Sequence, residues 1–277
     1  MSESTAIQIS AADIMRRLES LEPTRKTRIM RKIVSAALGA IPWLGGFIAA
    51  QMAFADEAGQ LEVNRLNKEW MSEHERKLSQ LGLDLAALIN RLDELGEDIS
   101  ERLESEAYIG LVRKAFKVYD QADTELKRSY ICKLLGNAAA TKLSDDDLIR
   151  LYIDWLERYH EAHFAVIREV YTHPGSTRAD IWERVNGNFP AENSMEADLY
   201  RLLIHDLSTG RIVRQHRETN HRGDFIKKQV VKRASGRGSA TMKSAFDDEE
   251  SYELTELGKQ FVHYVFNDIV QRISPEN

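Results

Sequence analysis

A chain of 277 residues has room for two domains with sizeable cores. With 43% hydrophobic residues, 30% charged residues and a net charge of −6, it excludes a disordered chain, a multi-spanning membrane protein and a surface wholly adapted to nucleic acid. A single cysteine, Cys132, cannot form an internal disulfide and points to a reducing compartment, so the expected location is cytoplasmic.

Ser10 and Asp13 resemble a capping box opening a short amphipathic helix with Ile14, Leu18 and Leu21 inward. Arg25, Lys26, Arg28, Arg31 and Lys32 then precede a run without charge, Ile33 to Ala55, which Asp56 and Glu57 close. The run begins too late for a secretory leader. It is long enough to cross a bilayer, yet rich in Ala and Gly, which contribute little transfer free energy. Pro42 interrupts the helical ladder and Gly45–Gly46 loosens the backbone after it. The pattern predicts a hairpin of two short helices meeting at "IPWLGG". It would be either permanently buried or conditionally membrane-inserting through Ile41, Pro42, Trp43, Leu44, Phe47 and Ile48. Its basic flank is placed to meet anionic headgroups, or is a solvated helix face.

A long amphipathic helix is expected over 58–118. Leu78, Leu81, Leu85, Leu88, Leu92, Leu95 and Ile99 step by three and four residues, an a/d seam that buries against another helix or a second copy. At Ile99 the register slips to Leu103. "DTELKRSYICKLLGNAAA" follows, with a break expected near Gly136–Asn137. Ser144, with Asp147 three residues on, predicts the cap of one helix running to Pro174–Gly175.

Beyond it lie two short helices, "STRADIWERVNG" and "ENSMEADLYRLLIHDLSTG". Strand-like "RIVRQHRE", "DFIKKQVVKR" and "SYELTELG" and a closing helix complete the chain. Three helices, a strand, then a strand feeding a helix is a winged-helix order. Residues 211–243 hold ten Lys and Arg against Glu218 and Asp224, near +8, which leaves about −14 on the rest. Arg214, Arg217, Lys227, Lys228, Lys232 and Arg233 form this basic wing within 211–250 and could contact phosphates. The helix that would enter the groove carries Glu192, Glu196 and Asp198 against Arg201 alone, which favours protein docking over DNA. "RASGRGSATMKSAFDDEE" reads as a mobile segment.

Catalytic signals are weak. In "HEAH", His160 and His163 stand three apart without further ligands at a usable spacing, and read as a solvent-facing or interface pair. "SGRGS" at 235–239 lacks the Gly-Lys-Ser/Thr ending of a phosphate loop. Cys132 reads as a core thiol. No enzyme, cofactor or metal site is expected.

The apolar Gly/Pro-containing element in a helical front half, with the close "YELTELGKQF", resembles bacterial abortive-infection proteins of the Abi-alpha group. More loosely, the layout is similar to HeLo-like membrane-disrupting effectors. The apolar run lies nearer the N-terminus than in those families. The resemblance implies cell-autonomous defence by membrane damage or growth arrest.

The expected fold is mainly α. A helical bundle over 1–143 holds the hairpin 33–55, and a winged-helix-like domain covers 144–277. The expected function is a sequestered hairpin acting on an anionic inner membrane, as a homo-oligomer, when a protein partner triggers it. The alternatives are a DNA-binding regulator dimerised through the leucine seam, and a structural adaptor.

Overall fold

A computed structural model of the protein describes residues 24–47, 64–96, 99–141, 143–217, 220–222, 224, 226 and 244–266. The described residues are mainly helical, with one small antiparallel pair of strands. The chain divides into two compact units, Met1–Arg158 with Tyr264–Asn277, and Tyr159–His263. The division thus falls after the position 143/144 expected from the sequence. The cause is the next helix, which buries Ile149, Tyr152, Ile153 and Leu156 within the first unit.

The first unit begins with α1 (Arg25–Gly39), capped by Thr24, whose side chain accepts from the Thr27 amide. Its buried face is Thr27, Ile29, Met30, Ile33, Val34, Ala36 and Ala37. The chain breaks at Ala40–Ile41, and residues 42–47 are helical again. Pro42 therefore opens a helical segment, where its missing N–H costs nothing, and Gly45–Gly46 lie inside that segment. The two helices meet before "PWLGG" rather than within it. The expected second arm continues into 48–55, outside the described residues.

Three helices stand where one was expected over 58–118: α2 (Asn64–Glu94), α3 (Ser100–Glu104) and α4 (Glu106–Gln121). Gly96, at φ +75°, adopts the left-handed conformation that ends a helix and that side-chain-bearing residues resist. Ser105 is extended, and its hydroxyl caps α4 by accepting from the Tyr108 amide at 3.2 Å. Helices α5 (Glu125–Ala140) and α6 (Asp146–Arg158) follow. Helix α4 packs against α1, α3, α5 and α6, and α5 also packs against α2. Asp145, not Ser144, caps α6, its Oδ1 accepting from the Leu148 amide at 2.8 Å.

Helix α5 runs through Gly136–Asn137 without the expected break. The glycine serves a close approach instead: a Cβ there would stand 2.7 Å from Arg91 Cδ.

In the second unit, the helix expected to run from Ser144 to Pro174 is interrupted, so α7 (Glu161–Thr172) starts anew after Tyr159 and His160. Helices α8 (Arg178–Asn186) and α9 (Met195–Thr209) precede β1 (Val213–Gln215), β2 (Tyr252–Leu254) and α10 (Glu256–Phe266), whose last residues from Tyr264 belong to the first unit. Thr177 and Asp180 cap α8 reciprocally, and Ser194 caps α9. The strands pair Val213↔Leu254, Arg214↔Glu253 and Gln215↔Tyr252, and Thr177 bridges Ser251. Helix α7 packs against α8, α9 and β2. "DFIKKQVVKR" lies almost wholly outside the described residues, and the Ser10 helix wholly so.

Candidate functional site

The apolar segment is held by two kinds of contact. Ile41, Leu44 and Phe47 are buried. Phe47 stacks on His74 of α2 with ring centroids 5.9 Å apart, and Trp43 meets the same imidazole edge-on at 4.8 Å. Trp43 Nε1 donates to Asp120 Oδ1 of α4 at 2.5 Å, so its polar tip is satisfied at the surface. Pro42 is exposed, and Ile48 lies outside the described residues. Among the described residues no helix is long and apolar enough to cross a membrane.

Around this apolar contact the basic flank is tied down. Arg25 donates to both oxygens of Glu104 at 3.1 and 2.8 Å, and Lys26 pairs with Asp93. Lys32 pairs with Glu106 at 2.7 Å and donates to the Glu104 carbonyl at 3.2 Å. The hydrogen bond from Arg25 holds the Glu104 carboxyl below the usual range, and that from Lys32 does the same for Glu106. Arg28 is exposed and Arg31 half-buried. Beside these pairs a groove of about 550 Å³ separates α1 from α4. Its floor is Ser35, Ala36, Gly39 and Ala40, and Lys32, Arg113, Lys114 and Lys117 rim it. Lys114 is paired with Asp154 at 2.5 Å.

The leucine seam is consumed inside the unit. Leu78, Leu81, Leu85, Leu88 and Leu92 are buried on α2, which packs against α5; beyond its end Leu95 is half-buried and Ile99 buried. Its choice between an internal partner and a second copy is made in favour of the internal one for these side chains.

In the second unit Arg214 is bonded to Glu253 at 2.7 Å, and His216 Nδ1 lies 2.8 Å from the same carboxylate. Burial opposes ionisation of Glu253, but the His216 and Arg214 bonds outweigh it and hold its pKa down. Arg217 is exposed; Lys227, Lys228, Lys232 and Arg233 lie outside the described residues. Glu192 binds Arg201 at 2.5 Å and accepts from the Ala245 amide at 3.0 Å and from the Ser244 hydroxyl. It thereby ties residues 244–245 to Arg201 of α9. Next to them Phe246 lies 5.1 Å from Trp182, 5.4 Å from Phe189 and 5.8 Å from Tyr200. Residues 244–250, expected to be mobile, are thus anchored by an aromatic cluster. The signal was one Phe in a polar stretch, which no periodicity marks.

The outer face of α9 was also missed. Met195 is 78% exposed, Leu199 49% and Leu202 52%, at spacings of four and three that align them on one face. The "HEAH" pair separates. His160 is exposed, whereas His163 is buried with Nδ1 accepting from the His160 amide at 3.2 Å. Burial lowers the His163 pKa, so the ring is neutral at pH 7 with its proton on Nε2. Burial likewise pushes the Cys132 thiol up, away from nucleophilic chemistry. Among the described residues no cluster of His, Cys, Asp and Glu could hold a metal. Compared with family models, with curated proteins and with solved structures, the chain matches none.

Proposed function

We propose that the protein is a non-enzymatic, membrane-active effector of the bacterial-defence kind, whose apolar segment from Ile33 is sequestered until a partner releases it onto an anionic membrane. The observation that carries this reading is the dual state of α1. Its apolar face is buried while its cations are latched at the surface to Glu104, Asp93 and Glu106. Exposed ion pairs contribute little, so anionic headgroups can replace these carboxylates at small cost. Burial of Ile29, Met30, Ile33, Val34, Ile41, Leu44 and Phe47 stabilises the closed state far more, by about 1.5–3 kcal/mol each. A bilayer offers the same apolar surroundings, so the hydrophobic effect does not oppose transfer once the segment is free.

In this reading the second unit is a winged helix that docks the protein trigger. The order of its helices and strands and the exposed stripe on α9 support it. A DNA regulator is less well supported, since an apolar and acidic outer face on α9 does not suit a groove lined by phosphates.

The test is flotation and dye release with vesicles of anionic or zwitterionic lipid, comparing the wild type with Asp93→Ala/Glu104→Ala/Glu106→Ala. The variant should bind anionic vesicles at lower lipid concentration and leak them faster, with zwitterionic vesicles spared. If neither protein associates with anionic vesicles, the reading is wrong.

A further inference from the structure

A second concave surface lies wholly within the second unit, between the start of α8, one face of α9 and the two strands. It is a cleft of about 450 Å³ lined by Arg178, Arg201, Arg211, Arg214 and Arg217, with no carboxylate in the lining. Five guanidiniums facing one space repel one another, an arrangement that a bound polyanion relieves. Arg201 is neutralised from outside the cleft by Glu192 and Asp198, and Arg214 by Glu253. Arg178 and Arg211 have no carboxylate partner among the described residues.

Arg178 is preorganised. Its Nε donates to the Tyr252 hydroxyl at 2.8 Å, and its guanidinium sits 5.5 Å from the Tyr252 ring centre. This fixes the plane while leaving the terminal nitrogens without an acceptor among the described residues. Arg211 has φ +60°, the only non-glycine in the left-handed region among the described residues. Thr255 Oγ1 donates to its carbonyl at 2.5 Å and holds that turn. That conformation ends α9, since the Arg211 amide donates to the Ser208 carbonyl at 3.1 Å and the Ile212 amide to the Leu207 carbonyl at 3.0 Å, and it sets the Arg211 side chain at the cleft wall. The buried Ile204 and Val213 give the floor an apolar part, and the volume falls in the range of small-molecule sites rather than of a single phosphate.

From these residues we infer that the cleft binds a multiply phosphorylated small molecule of the nucleotide class. Planar guanidinium forks match phosphate oxygens bidentately and can stack on a base. The alternative polyanion is duplex DNA, which needs a protruding reader. The cleft is concave, and the outer face of α9 carries Met195, Leu199 and Leu202. This site is independent of the membrane reading.

The experiment is calorimetry on the full chain at about 0.15 M salt, with inorganic phosphate, pyrophosphate, ATP, GTP, cyclic di-GMP and a duplex DNA as probes. At least one nucleotide should bind about tenfold or more tightly than inorganic phosphate. Arg178→Gln and Arg211→Gly should each weaken it about tenfold or more. Arg211→Gly keeps the fold, because glycine accepts a positive φ without strain; unchanged thermal stability beside lost binding separates recognition from unfolding. Lys117→Ala, in the other unit, should bind normally. The inference fails if no nucleotide outbinds phosphate or if binding survives both arginine substitutions. It fails equally if only duplex DNA binds.

Discussion

The Arg91 side chain lies across Gly136, and its guanidinium donates to the next residue, Asn137, at 2.8 Å. Asn137 Nδ2 in turn donates to the Tyr264 carbonyl at 2.7 Å, so one buried amide joins α2, α5 and the end of α10. Asn137→Ala strips both partners and should cost about 1–3 kcal/mol in urea unfolding. Gly136→Ala should cost less, because Arg91 is flexible and can shift. If Gly136→Ala instead stabilises the protein as an ordinary helix substitution would, the Arg91 contact is unimportant.

The buried seam makes a separate prediction. Leu85→Asp with Leu92→Asp places two charges where the side chains are fully enclosed, and should unfold the first unit rather than separate subunits. Circular dichroism with light scattering distinguishes the two: a folded variant of smaller mass would mean that the seam joins copies.

Gly258, in "YELTELGKQF", sits where a Cβ would stand 2.2 Å from the Ile212 carbonyl oxygen, a backbone atom with little freedom to move. Gly258→Ala should therefore destabilise the second unit by about 1–3 kcal/mol. Gly110, inside α4, has open space around its missing Cβ. Gly110→Ala should stabilise by roughly 0.5–1 kcal/mol. Thermal melts of the pair should move in opposite directions.

The His163 ring is neutral in the fold and accepts the His160 amide, an arrangement that protonation destroys. Its folded pKa lies below the ordinary 6.5, so its contribution is present above that value and is lost as pH falls through the folded pKa. Urea midpoints of the wild type should drop between pH 7 and 5 more than those of His163→Gln. Parallel curves would exclude His163 as the cause.

The latch carboxylates predict a different pH window. Glu104 and Glu106 titrate below their ordinary 4.5, so their ion pairs hold above that value and are lost as pH falls through the lowered pKa. Association with anionic vesicles should stay flat from pH 8 to 5 and rise only in stronger acid. A step near pH 6.5 would assign control to a histidine instead.

Local chemistry was legible in the sequence wherever a periodic or capping signal is short-ranged. The apolar run from Ile33, the spacing of Leu78 to Leu92, the Ser and Thr opening α8, and the strand leading into α10 all follow from residues within a few positions of one another. These patterns state that a face must be buried or a terminus satisfied, because apolar surface and orphan amides are costly in water.

What buries them is a matter of distant partners, and only the tertiary structure decided it. The seam could not name α5, nor could Gly136 announce Arg91, because close approach between helices leaves no local trace. Arg211 and Arg178 lie far apart in a polar sequence and meet only when β1 pairs with β2 beside α8. Phe246 anchors the segment before β2 for the same reason, since three aromatic rings from α8, α9 and their connection converge on it. The sequence determined which surfaces must leave water, and the folded chain determined where each one goes.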